Sequence, residues 1–112
     1  MRPTYQNIAD TLNTQTGTSY TLQASDSGKV VELNNASAIT VTVPNSLPAG
    51  FNCILAQIGA GQVTVQAGSG ATLNAYPSGG VKTPGQWGET SLRIRANSGG
   101  SAAVAVMGGG VA

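Results

Sequence analysis

Residues 38–65 constrain this 112-residue chain more than any other stretch. Ile39, Val41 and Val43 alternate with Thr40 and Thr42, the two-residue period of a strand with one buried face. Residues 51–58 form a nearly continuous apolar run of strand length, the pattern of a strand covered on both faces. Gly59-Ala60-Gly61-Gln62 is a tight connection, and Val63-Thr64-Val65 resumes the alternation. The expectation is an antiparallel meander of three strands around which the rest assembles.

Strand patterns recur on both sides, at residues 19–23, 29–33, 71–74, 89–96 and 102–107, separated by Gly, Asn and Ser clusters. Asp26 and Gly28 supply turn chemistry, the first by bonding nearby amides and the second by accepting a positive φ. The sequence therefore predicts an all-β protein, a small antiparallel β-sandwich or barrel of about eight short strands occupying residues 18–112. Residues 1–17 differ. Tyr5, Ile8, Ala9 and Leu12 fall three and four apart, giving a short apolar stripe if the segment is helical. A helical turn this short is marginal alone, so residues 1–17 form an N-terminal arm, packed on the domain or docked on a partner through Tyr5, Ile8 and Leu12.

Composition narrows the function. Charged residues make up 8% of the chain, against about 25% in ordinary soluble domains. None lies between Leu33 and Val81, so strand faces and edges there lack the charges that normally deter association. This predicts life inside an assembly. A net charge of +1 offers no broad field for nucleic acid or an anionic membrane. The chain has no signal-peptide run and no segment of membrane-spanning length, which points to synthesis in a cytoplasm. Asn35-Ala36-Ser37 matches a glycosylation sequon, read as chance in that setting.

Catalytic chemistry finds few candidates. With no histidine there is no histidine-based triad and no histidine metal site. Cys53 is the single cysteine, set in the most apolar strand, and reads as a buried inert thiol. Asp10, Asp26, Glu32 and Glu89 are the four carboxylates, and nothing in their spacing pairs two of them for acid–base work. The expectation is no enzyme, no metal and no cofactor. Arg93 and Arg95 project from one strand face, with Leu92 and Ile94 inward, and read as an exposed face kept soluble, with a site for a partner's carboxylates or a phosphate as the alternative. Trp87 reads as a cover for one end of the core, with stacking on a sugar as the alternative.

Several of these stretches together resemble a known family. They are Tyr20-Thr21-Leu22, Asp26-x-Gly28-Lys29, Val31-x-Leu33-Asn34-Asn35 and Thr40-Val41-Thr42-Val43-Pro44, followed by the apolar run at 51–58. Gly59-Ala60-Gly61-Gln62-Val63-Thr64-Val65 and Gly68-x-Gly70-x-Thr72-Leu73-Asn74 complete the set. About half the chain is similar to a β domain of tailed-bacteriophage virion structural proteins, among them capsid decoration (cement) and head-fibre proteins and the C-termini of tail fibres. The resemblance implies a virion structural protein. A chain that opens on methionine with a short leader favours a capsid decoration protein, which binds the major capsid protein on the outer shell and bridges capsomers as a homotrimer. The alternative it implies is a tail-fibre or tailspike module that binds a receptor or a host-surface glycan.

Overall fold

The computed structural model describes residues 11–76 and 78–112. These form nine strands, one more than the sequence patterns suggest: β1 (Leu12–Gln15), β2 (Ser19–Thr21), β3 (Val30–Leu33), β4 (Ile39–Val43), β5 (Asn52–Gln57), β6 (Val63–Ala67), β7 (Thr72–Ala75), β8 (Glu89–Asn97) and β9 (Ala103–Gly109). The protein is all-β, as expected, but neither sheet is antiparallel: the larger is mixed and the three strands of the smaller are parallel. One holds six strands in the order β1-β3-β5-β8-β9-β7, the other three in the order β2-β4-β6.

The chain enters the two sheets alternately, and each pass lies parallel to the one before. In the six-stranded sheet Leu12 pairs with Val30 and Val30 with Ile54. In the three-stranded sheet Ser19 pairs with Thr40, and Ile39 with Val63. The expected meander is thus corrected: β4 and β5 lie in different sheets, β4 pairs with β6, and the Gly59–Gln62 connection crosses between layers. Side-chain alternation is the same in parallel and antiparallel strands, so the pattern alone could not separate them.

The crossings stack as the strands do. Gly61 N–H donates to the Asn35 carbonyl at 2.8 Å, and Asn35 Nδ2 donates to the Thr16 carbonyl at 2.8 Å, tying the β1–β2, β3–β4 and β5–β6 connections together. A Cβ on Gly61 would overlap the Ser37 carbonyl, so only glycine permits this approach of backbone to backbone.

The far side is closed differently. β8 runs antiparallel to β5, β9 antiparallel to β8 with a register shift between Ile94 and Ala96, and β7 returns parallel to β9. Residues 81–83 extend the smaller sheet beyond β6, Val65 N–H donating to the Val81 carbonyl at 2.8 Å and Thr83 N–H to the Val63 carbonyl at 2.9 Å. Ala112 then bonds Lys82 through its N–H at 2.7 Å.

Between the layers lie Val31, Leu33, Ile39, Val41, Val43, Leu55, Val63, Val65, Leu92, Ile94 and Met107, all buried, with Phe51, Leu22 and Leu47 filling the ends. Full burial of such a side chain stabilises by about 1.5–3 kcal/mol. Alternation placed Ile39, Val41, Val43, Leu92 and Ile94 correctly. It overreached at β5, where Ile54 is 37% exposed and only Leu55, Ala56 and Gln57 form a continuous buried run.

The proposed arm also changes character within the described residues. Leu12 opens a strand of the six-stranded sheet instead of closing a helical stripe, and the supposed boundary after residue 17 falls between β1 and β2, which share one pass of the chain. Tyr5 and Ile8 lie outside the described residues.

Candidate interaction surfaces

β1 and β2 meet over a buried carboxylate. Asp26 sits in the short turn Ala24–Asp26 and is 1% exposed. Its Oδ1 accepts from Asn13 Nδ2 at 2.7 Å, and its Oδ2 accepts from the Tyr20 hydroxyl at 2.7 Å and from the Gln23 N–H at 3.0 Å. Asn13 Nδ2 also reaches the Tyr20 oxygen at 2.9 Å, joining the two sheets directly. Burial, the hydrogen bond to Asp26 and the carboxylate's charge together push the Tyr20 hydroxyl up to about 12. Cys53 is buried as expected, and its thiol is raised to about 12 by desolvation first and by Asp26 second, so it stays protonated and unreactive at neutral pH. The sequence suggested a turn residue bonding nearby amides at Asp26. That role is present, but the side-chain donors from β1 and β2 were not foreseen, because nothing in the sequence pattern brings Asn13 to it.

The three strands of the smaller sheet carry no charge on their outer face, and exposed Lys82, opposite Thr64 in the added segment, borders it. Register aligns Ser19, Thr40 and Thr64 in one row and Thr21, Thr42 and Gln66 in the next. Gln66 Nε2 donates to the Thr42 hydroxyl at 3.1 Å. β-branched residues suit this pleated surface, and the result is a broad neutral plane of hydroxyl and amide groups.

The outer face of the six-stranded sheet is mixed. Leu12 (49% exposed), Val30 and Ile54 form an apolar row running across β1, β3 and β5. Arg93 and Arg95 are exposed on β8 with Leu92 and Ile94 buried beneath, as predicted. The structure therefore puts Leu12 and Arg93 on one face, three strands apart. Arg95 follows them at the register shift.

Trp87 overturns its expectation. It does not cover the core but stands 70% exposed, and it is the one described non-glycine residue with positive φ (71°). Gly88 N–H donates to the Gly85 carbonyl at 2.9 Å, closing a turn whose third position takes the left-handed conformation that glycine normally fills. The turn is clamped to β5: Trp87 N–H donates to the Gln57 carbonyl at 2.6 Å, Gln57 N–H to the Gly88 carbonyl at 2.9 Å, and Gln86 Nε2 to the Ile58 carbonyl at 3.0 Å. Behind it Thr83, fully buried, donates its hydroxyl to Gln57 Oε1 and accepts from Val63 N–H at 3.1 Å. Tyr76 is a second protruding aromatic, at 87% exposed. Pro84-Gly85-Gln86-Trp87-Gly88 carried the signal of a tight turn, but not the exposure of its aromatic.

Among the described residues no cavity indents the surface, and no three acidic, cysteine or histidine side chains converge to hold a metal. Among the described residues no helix is long and apolar enough to cross a membrane. No family model, curated protein or solved structure matches this chain.

Proposed function

We propose that this is a bacteriophage virion structural protein, a capsid decoration protein that binds the major capsid protein on the outer shell and bridges neighbouring capsomers. It acts by binding and not by catalysis, without a cofactor. The observation that carries the reading is the neutral outer plane of the three-stranded sheet, built from Ser19, Thr40, Thr64, Thr21, Thr42 and Gln66. A neutral, hydrogen-bonding plane bordered by one lysine suits a broad protein surface better than a small ligand, which needs concavity to be enclosed. The sequence resemblance to phage β domains supports the same reading. In the test, purified protein is mixed with undecorated particles and sedimented. Saturable binding at hundreds of copies per particle, weakened by Thr40→Lys with Thr42→Lys, is the expected result. Absence of binding, or a handful of copies confined to one vertex, removes the decoration reading.

A tail-type glycan-binding role has one specific observation in its favour, the exposed indole of Trp87 on a turn whose backbone is hydrogen-bonded to β5. Aromatic faces stack on sugar rings with little entropic cost when held in advance. Glycan-array binding abolished by Trp87→Ala would shift the assignment to this second reading.

A further inference from the structure

Among the described residues the two sheets end together on one side, at β1 and β2. In parallel ladders alternate residues bond one neighbour. β1 uses Thr11, Asn13 and Gln15 toward β3, the outer two of which show as Val30 N–H to the Thr11 carbonyl and Asn34 N–H to the Gln15 carbonyl. β2 uses Thr18, Tyr20 and Leu22 toward β4, with Thr40 N–H bonding the Thr18 carbonyl and Leu22 N–H the Thr42 carbonyl. The N–H and C=O groups of Leu12, Thr14, Ser19 and Thr21 therefore point away from the body. The usual guards are missing. Residues 11–25 contain no charge and no proline, and neither ladder carries a bulge.

We infer that this double edge is a self-association surface, taking a second copy of the chain across a twofold axis normal to both sheets. Two features favour that occupant. A single peptide strand would fill one edge and leave the other open, whereas a second copy brings two edges at the same spacing. The centres of the two outward ladders also coincide. Asn13 lies midway between Leu12 and Thr14, Tyr20 lies midway between Ser19 and Thr21, and these two side chains touch across the core at 2.9 Å. One axis through that pair thus serves both sheets. Leu12 would face Thr14 of the second copy, and Ser19 would face its Thr21, each pair exchanging two backbone hydrogen bonds in antiparallel register. Both sheets would then run continuously through the dimer.

The opposite side is a poorer match for this edge. Beyond β5 the larger sheet carries three more strands, while beyond β6 the smaller one carries residues 81–83 and Ala112. Those edges are stepped, not level. The threefold ring expected from the resemblance would have to set the level edge against a stepped one. The twofold is independent of the capsid reading, since it concerns only how copies of this chain pair.

The test uses the full chain. Light scattering should give twice the 11.1 kDa chain mass, and hydrogen exchange should show slow amides at Leu12, Thr14, Ser19 and Thr21. Thr14→Pro with Thr21→Pro deletes outward donors and no inward ones, so it should yield a monomer with unchanged circular dichroism. Thr14→Ala with Thr21→Ala keeps those donors and should remain a dimer. If the proline pair unfolds the chain, Ser19→Lys with Thr21→Lys decides, because it places like charges opposite one another across the axis. A monomeric wild type, a trimeric mass, or a dimer unmoved by the lysine pair overturns the inference. So does slow exchange of the four amides in a monomer, which would mean the chain's own residues cover the edge.

Discussion

Two buried polar clusters hold opposite sides of this molecule, and they are built on different principles. Near the open edge, a carboxylate gathers donors from three places along the chain: Asn13 on β1, Tyr20 on β2 and Gln23 at the turn. Behind the Trp87 turn the cluster is neutral, with Thr83, Gln57 and Val63 sharing one hydroxyl and Gln62 Nε2 bonding the Thr83 carbonyl at 2.8 Å. The first uses charge to tie two sheets at the side with fewest strands. The second uses neutral hydrogen bonds to fix a connection already enclosed by packing. A charged hub binds its donors more strongly, and its loss leaves more groups unsatisfied.

That contrast can be broken by substitution. Asp26→Ala strips three donors of their acceptor and should cost about 3 kcal/mol, a large share of a total of about 5–15, read as a fall in the urea midpoint. Thr83→Val preserves shape but orphans the Val63 N–H and the Gln57 oxygen, and should cost about 2 kcal/mol in the same assay. Equal losses at the two sites would mean the charge adds nothing. Trp87→Gly should instead stabilise by about 0.5–1 kcal/mol, because the left-handed backbone is unfavourable to a residue with a Cβ and the indole has little burial to lose. A destabilised Trp87→Gly variant would show that the indole supports the fold.

The last expectation concerns pH. The Tyr20 hydroxyl is raised from 10.0 and the Cys53 thiol from 9.0, each to about 12. Both groups are thus held protonated by folding. Their contribution is fully present below about pH 9 and is lost as pH climbs toward about 12. Unfolding midpoints should fall across that alkaline window, and less steeply in Tyr20→Phe, where the deprotonating hydroxyl at the charged cluster is gone.

Much of the strand pattern was legible because burial on one face imposes a period of two. Ile39, Val41, Val43, Leu92 and Ile94 lie inward for that reason, and Arg93 and Arg95 outward. Pairing was not legible, since the stacked passes of the chain are of unequal length and leave no sequence repeat. Leu12 misled because its spacing from Ile8 and Tyr5 fits a helix, whereas its strand is fixed by a ladder to β3 made far along the chain. Of the proposed contact residues, Arg93 and Arg95 point outward as the alternation implied, whereas Leu12 is exposed on a strand and not on a helical arm. Trp87 was missed because a large aromatic is normally assigned to a core.

The stacking of parallel passes also sets the kinetics of folding. Leu12 finds its partner 18 residues away at Val30, Val30 finds Ile54 after 24, and Cys53 meets Leu92 after 39. Among the hydrogen-bonded strand pairs, β8 and β9 alone are joined by a short loop, residues 98–102. Each parallel pair must close a long loop before any hydrogen bond is gained. Chains dominated by such distant pairings fold over milliseconds to seconds instead of microseconds. The β8–β9 hairpin can form early on its own. β1 and β2 need β3 and β4 already in place, so the edge proposed to meet a second copy is completed only when most of the molecule is.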